Sequence, residues 1–281
     1  MLLIADSGST KTHWVLVDNK NPQLHYHTIG YNPYFIDGKG IYQSLAENLL
    51  PKLNAPIITK VFFYGAGCSS AEKIKIVEQA MVKAFPNAEM FVSHDLLAAA
   101  RAVLGDKRGF AAIIGTGSNT CIYDGKAIEK NIDSVGYLLG DEGSGCYIGK
   151  KITRDFIRDY LPTELRNKFD KKYNISAADI FDAMYNKPLP NRFLASFAAF
   201  ADENKEHPYI QKIVKESFDD FFKNLVSQYP GYSELTFNCI GSVGFIFRDI
   251  LTEVAQSYNM SVGTVWQSPI EGLVNYHLKH L

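Results

Sequence analysis

The chain opens on three short apolar or β-rich runs, 2–5, 13–18 and 24–29, which predict strands joined as a meander. Helical spacing follows over 40–53, an apolar β-rich run over 57–64, and helical spacing again over 71–85. A short strand is predicted at 90–93 and an alanine-rich helix at 96–104. Three strands followed by alternating helices and strands imply a mixed sheet. Residues 105–109, Gly-Asp-Lys-Arg-Gly, break the pattern and mark the predicted domain boundary. The hairpin pattern then restarts at 111–114 and 120–124, with a third strand expected at 126–130. A helix-rich stretch runs over 145–228, then a buried-type strand at 235–240, a helix at 245–258, a strand at 262–266 and a closing helix at 270–281. The pattern reads as a duplicated α/β unit with a helical insertion in the second copy. The expected domains are 1–105, onto which the closing helix can pack back, and 106–269.

Two loops carry the duplication. Asp6-Ser7-Gly8-Ser9-Thr10 and Gly115-Thr116-Gly117-Ser118-Asn119 read almost alike, 109 positions apart, and each lies between two apolar runs. Such loops aim backbone N–H groups at an anion, and glycine permits close approach. Two of them can grip a chain of phosphates. An ordinary hairpin turn uses the same residue types, and it is the recurrence that favours phosphate. Asp6 ends a strand, where a carboxylate can hold Mg²⁺ directly or through water. Ser7, Gly8, Ser9, Thr10 and Lys11 add N–H and hydroxyl donors and one cation.

Composition narrows the function classes. The 281 residues are 46% hydrophobic and 21% charged, which suits one large globular domain or two modest ones. A formal net charge of −1 argues against general nucleic-acid binding. No apolar run reaches about 18 residues, so no membrane span is expected. The first residues enter a strand with no basic segment, so no signal peptide is expected. Cys68, Cys121, Cys146 and Cys239 form no C-x-x-C pair and read as free thiols of a reducing cytoplasm.

Familiar nucleotide signatures are missing. Residues 144–150 begin with Ser and end in Lys-Lys rather than completing a Walker motif, and neither Gly115-Thr116-Gly117 nor Gly143-Ser144-Gly145 has the third glycine of a dinucleotide fingerprint. Three other segments remain. Asp95, in Ser93-His94-Asp95, lies at the C-terminal end of a strand, where open sheets place chemistry; read plainly, it is a helix N-cap. Gly140-Asp141-Glu142-Gly143-Ser144-Gly145 brackets two carboxylates with glycines, as a site or as a flexible loop with a cap. Gly241-Ser242-Val243-Gly244 follows an apolar strand, and its small residues let a flat ring lie on the backbone or simply pack a turn. His25 and His27 share a strand face like a metal pair, but no third ligand is evident, so surface or core histidines are the better reading. Phe218, Phe221, Phe222 and Leu225 have helical spacing and read as core or a subunit interface.

Taken together, residues 6–11, 115–120 and 241–244 resemble the phosphate-1, phosphate-2 and adenosine motifs of the superfamily of sugar kinases, heat-shock ATPases and actin, in order and over essentially the whole chain. Residues 140–145 and the closing Ser268-Pro269-Ile270-Glu271-Gly272-Leu273 resemble its N-acetylglucosamine kinase branch. That branch shares a family with the ATPase activators of benzoyl-CoA reductase and of 2-hydroxyacyl-CoA dehydratases. The resemblance implies two ribonuclease-H-like domains with ATP and an amino sugar in the cleft between them, and a homodimer. It implies Asp95 as the base for the sugar 6-hydroxyl and Asp6 as a Mg²⁺ holder. Gly8, Ser9, Thr10, Lys11, Gly117 and Ser118 would contact phosphates, and Gly241, Ser242 and Gly244 would line the adenosine site. Asn32, Ser69, Thr116, Asn119 and Asp141 resemble sugar-contacting positions; Glu142 is given no role. The zinc cluster of the bacterial repressor/kinase branch has no counterpart. The activators' Gly-Gly-Gln-Asp-type second loop is also missing, and Cys146 lies outside their cysteine context. This favours an ATP-dependent amino-sugar kinase over a redox activator or a non-catalytic sugar sensor.

Overall fold

The computed structural model describes residues 1–18 and 21–280. Its chain folds into two compact units. The first takes residues up to Lys107, Gly125–Ala127 and the stretch from Pro269 onward; the second takes Arg108–Asp124 and Ile128–Ser268. Among the described residues, no helix is long and apolar enough to cross a membrane.

Each unit is built on a five-stranded mixed sheet. In the first, β1 (Leu2–Ser7), β2 (Lys11–Asp18), β3 (Asn21–Ile29), β4 (Lys60–Gly65) and β5 (Glu89–His94) lie in the order β3-β2-β1-β4-β5. In the second, β6 (Gly109–Ile114), β7 (Ser118–Tyr123), β8 (Ile128–Ile132), β9 (Phe237–Ile240) and β10 (Val262–Trp266) lie in the order β8-β7-β6-β9-β10. In both sheets the meander is antiparallel and the two later strands run parallel to the first. The ribonuclease-H-like sheet expected from the sequence is present twice, with the helical insertion in the second copy.

Alternation of side chains sends the two faces of β1 into different layers. Leu3 and Ala5 join Trp14, Leu16, Val61 and Phe63 beneath the helices Gly38–Asn48 and Ala71–Ala84. Leu2 and Ile4 point to the opposite face, against which the helices Asp95–Leu104 and Ile270–Lys279 pack. In the second unit Phe218, Phe221 and Phe222 are fully buried and Leu225 nearly so, in one core with Phe110, Ala112 and Ile114. The aromatic series is core.

Several boundaries differ from the sequence reading. Pro51 and Pro56 hold short 3₁₀ turns at Leu50–Lys52 and Ala55–Ile57, so the first helix stops at Asn48 and β4 starts only at Lys60. The third strand of the second meander begins at Ile128 rather than 126, because Gly125, with φ of +102°, makes the preceding residues a turn. The helix expected over 245–258 is two, Ser242–Ile246 and Arg248–Ser257, broken at Phe247. The final residue of the expected closing helix, Leu281, lies outside the described residues.

Candidate active site

In the first unit the β1–β2 hairpin closes on the pair Ser7 and Thr12, with the Gly8 N–H donating to Lys11 O at 3.0 Å. A hydroxyl relay fixes its base. The Tyr31 N–H donates to Ser7 Oγ (3.0 Å), Ser7 Oγ lies 2.7 Å from Thr12 Oγ1, and Thr12 Oγ1 donates to Ile29 O (2.8 Å). Since Thr12 spends its proton on Ile29, Ser7 donates to Thr12. Gly30 braces the turn from outside, its N–H donating to Thr10 O at 3.0 Å. Thr10 and Lys11 are left at the surface.

The same loop reaches two expected sugar-contacting residues. Asn32 Nδ2 donates to Ser9 Oγ (2.9 Å), while its Oδ1 accepts the Tyr34 N–H (3.0 Å). Tyr34 Oη lies 3.1 Å from Ser69 Oγ. Asn32, Ser9 and Ser69 are thus brought together through Tyr34, a residue without a motif to mark it in the sequence.

Asp6 sits within β1, two residues short of the turn, opposite His13 and beside Tyr64. Its carboxyl is pushed up to about 7, first by burial and then by the charge of Asp95, against the pull of Lys11. Asp95 is the first residue of the helix Asp95–Leu104, yet it is not the N-cap. His94 is the cap, its Nδ1 accepting the Leu97 N–H at 3.1 Å. Burial first, and then Arg101, lowers the His94 imidazole's affinity for protons, which keeps the accepting nitrogen bare. Burial and then the Asp95 charge push the Cys68 thiol up to about 12. Asp6, Cys68 and Asp95 therefore share one electrostatic neighbourhood.

His13 supplies the third imidazole that the sequence did not show beside His25 and His27. Its Nε2 lies 2.9 Å from His25 Nδ1, and its ring centroid lies 4.5 Å from that of His27. Among the described residues, however, no group of three or more His, Cys, Asp or Glu is disposed to hold a metal ion.

In the second unit the hairpin closes on Ile114 and Ser118, and the Gly115 N–H donates to Gly117 O at 2.9 Å. This loop is a residue shorter than the first, so the apparent sequence match of the two loops is not the register of the strands. Its carbonyls receive the start of the helix Gly145–Ile157: Gly145 N–H donates to Gly115 O (2.8 Å) and Cys146 N–H to Thr116 O (3.1 Å). Asp141 is buried in the left-handed conformation (φ +55°), and its Oδ1 accepts the Ser118 N–H at 3.2 Å. Ser118 Oγ is buried with no hydrogen-bond partner. Asn119 is committed elsewhere, its Oδ1 accepting the Thr120 N–H and Asn131 Nδ2, both at 2.9 Å. Glu142, given no role by the sequence, takes Asn224 Nδ2 at 2.9 Å.

Gly241 has φ of +128°, and a Cβ there would lie 2.3 Å from Ile114 O, so backbone meets backbone at that point. The next residue, Ser242, lines a cavity of about 270 Å³ together with Gly115, Thr116, Val243 and Phe247 and with Ala195, Ala198, Ala199 and Asp202. Thr116, expected at the sugar, lines this cavity. Gly244 packs under it, where a Cβ would lie 2.8 Å from Cys239 Sγ. The 195–202 wall belongs to the helical insertion and carries no motif; only its small residues hint at room for a ligand.

Each unit, taken by itself, carries groups that suit part of a magnesium nucleotide. An unpartnered buried hydroxyl stands in the second loop. In the first unit Asp6 is a carboxyl pushed up to about 7 by burial and then by the Asp95 charge, and magnesium is usually bound by one or two carboxylates together with phosphate oxygens.

No family model matches the chain, and no curated protein matches it. Solved structures do. A candidate N-acetylglucosamine kinase of Porphyromonas gingivalis is 39% identical over the full length of both chains, with a TM-score of 0.94. A candidate N-acetylglucosamine kinase of Chromobacterium violaceum aligns over 98% of each chain at 17% identity and a TM-score of 0.72. A glucokinase of the ROK family from Streptomyces griseus, solved with glucose and AMPPNP, matches 98% of this chain and 97% of its own at 14% identity and a TM-score of 0.58. At those identities the last two show the shared fold alone.

Proposed function

We infer that this chain, which belongs to the sugar-kinase family of the Porphyromonas gingivalis protein, is an ATP-dependent kinase of an amino sugar, with the 6-hydroxyl of N-acetylglucosamine as its acceptor. The observation that carries this reading is the full-length 39% identity to that protein. The duplicated phosphate-type hairpins support it.

In this reading Gly8, Ser9, Thr10 and Lys11 contact the β- and γ-phosphates, and Gly117 and Ser118 supply further donors. Gly241, Ser242 and Gly244 form the adenosine turn, of which Ser242 lines the cavity that Ala195, Ala198 and Ala199 also line. Asp6 is the residue to hold Mg²⁺, which when bound neutralises charge on the phosphates. Asp95 orients the acceptor hydroxyl and takes its proton late in transfer. Asn32 and Ser69 are the sugar contacts best supported by position, since Tyr34 holds both. Thr116, Asn119 and Asp141 complete the proposed acceptor set, although Asn119 and Asp141 also make the internal contacts described above.

The redox alternative finds little support in the sulfurs. All four cysteines are buried, and burial pushes the thiols of Cys68, Cys121 and Cys146 up to about 12 and that of Cys239 higher still. Cluster ligation needs accessible thiolates.

The test is ADP release with Mg·ATP across a panel of amino sugars, with Asp95→Asn as control. Sugar-dependent ADP formation that disappears in the variant supports the kinase. Sugar-independent hydrolysis points to an activator-type ATPase. Thermal stabilisation by a sugar without turnover points to a sensor.

A further inference from the structure

The second phosphate-type loop already holds an anion of its own. The Asp141 carboxylate accepts the Ser118 N–H at 3.2 Å, and both its oxygens lie 3.0 Å from where a Cβ on Gly117 would stand. That carboxylate lies close against the Gly117 backbone. The chain accepts strain to keep it there. Asp141 is a non-glycine residue at φ +55°, pinned by its own N–H on Ser134 O (3.0 Å) and by the Ser144 N–H on Asp141 O (3.2 Å). Beside it, Ser118 Oγ, in a residue only 5% exposed, is a buried donor with no partner. Burial raises the Asp141 carboxyl above the usual carboxylate range; the Ser118 N–H, a Ser134 side-chain hydrogen bond and the Lys150 charge oppose that shift, and the Glu142 charge adds to it.

We propose that Asp141 is a built-in stand-in for a phosphate oxygen. Its carboxylate and a phosphate oxygen compete for the Ser118 N–H: the carboxylate keeps the loop formed and is displaced when phosphate arrives. This rests on the kinase reading and extends it: Asp141 is a positioning residue for the phosphate loop as well as a proposed sugar contact. Two anions cannot share one N–H, so the carboxylate opposes nucleotide binding until it is drawn away. An acceptor sugar whose hydroxyl donates to Asp141 draws it away. Sugar and nucleotide then bind cooperatively through one side chain.

Calorimetric titration of the full chain with Mg·AMPPNP, with and without saturating N-acetylglucosamine, tests this. Asn tolerates the left-handed backbone and still accepts an N–H, but carries no charge. Asp141→Asn should therefore bind the nucleotide at least about fivefold more tightly than wild type without sugar, and sugar should add little further tightening. Asp141→Gly, also at ease at positive φ, should shift the sugar-free affinity in the same direction, which covers a folding defect in the first variant. Unchanged or weakened sugar-free affinity in both variants overturns the stand-in, whatever happens to sugar binding. If wild type and variants bind no Mg·AMPPNP even with sugar, the kinase reading falls and the stand-in with it.

Discussion

The His94 imidazole caps the helix by accepting the Leu97 N–H, one residue before the first-turn carboxylate of Asp95. His94→Ala should cost about 1 kcal/mol of stability, typical of a lost cap. It should also lower kcat although Asp95 is untouched; a stability loss with unchanged kcat would separate the cap from the chemistry. Asp95→Asn should lower kcat by about 10²–10⁴-fold, the usual share of a positioned proton acceptor, with sugar affinity within about twofold. Full activity in that variant removes Asp95 as the base. Asp6 makes a pH prediction. Its carboxyl titrates at about 7 in the folded chain against an ordinary 3.8, so between those values the folded state holds more protons than the unfolded. Stability from this group is complete below about 4 and is lost as pH rises through about 7. The ligand-free protein should therefore lose melting temperature between pH 5 and pH 8, and Asp6→Asn should flatten that slope. Equal slopes in the two proteins would mean that Asp6 is not held protonated.

At the scale of elements, the glycines of the motifs are not equivalent. A Cβ on Gly8 meets nothing closer than Lys11 O at 3.7 Å, whereas one on Gly241 meets Ile114 O at 2.3 Å from a backbone at φ +128°. Gly241→Ala should cost more than about 2 kcal/mol in chemical denaturation and Gly8→Ala less than about 1; equal costs would deny the close approach of β9 and β6. The contrast also shows what the sequence could and could not tell. The mixed sheet and its duplication were legible because apolar runs and turn residues repeat in the same succession in both halves. The N-cap was not, since Asp is the commoner cap and nothing in Ser93-His94-Asp95 reveals that a neutral imidazole will take the N–H. Asn119 resembles a sugar-contacting position in sequence, which does not reveal that Asn131, brought alongside by β7–β8 pairing, donates to its Oδ1. The alanines at 195–199 were silent for a similar reason: they acquire meaning only when the insertion brings them into one cavity with Thr116 and Ser242.

At the scale of the molecule, the first unit is discontinuous in sequence, and its last segment is structural. The helix Ile270–Lys279 buries Ile270, Leu273 and Val274 and lays Gly272 against Ala102 so closely that a Cβ would lie 2.6 Å from Ala102 O. Its His277 stacks on Phe62 with ring centroids 3.8 Å apart and meets Tyr64 Oη at 2.9 Å. The same hydroxyl receives Arg101 Nη1 at 2.6 Å. Burial pushes His277 down to about 3, so the imidazole stays neutral across the working pH range and the network does not titrate there. Arg101 lies on the helix that begins with Asp95, so the closing helix braces the element carrying the proposed base. Removing residues 269–281 strips a layer from the first sheet and leaves the second unit's core whole. Hydrogen exchange on that truncation should show protection lost in residues 1–107 and kept in β6, β7 and the helix Pro208–Asn224. Loss in both units together would show that they fold as one body, and undiminished protection in the first would show that its sheet does not need this cover. A single exchange-rate map therefore decides whether the chain's last helix belongs energetically to its first hundred residues.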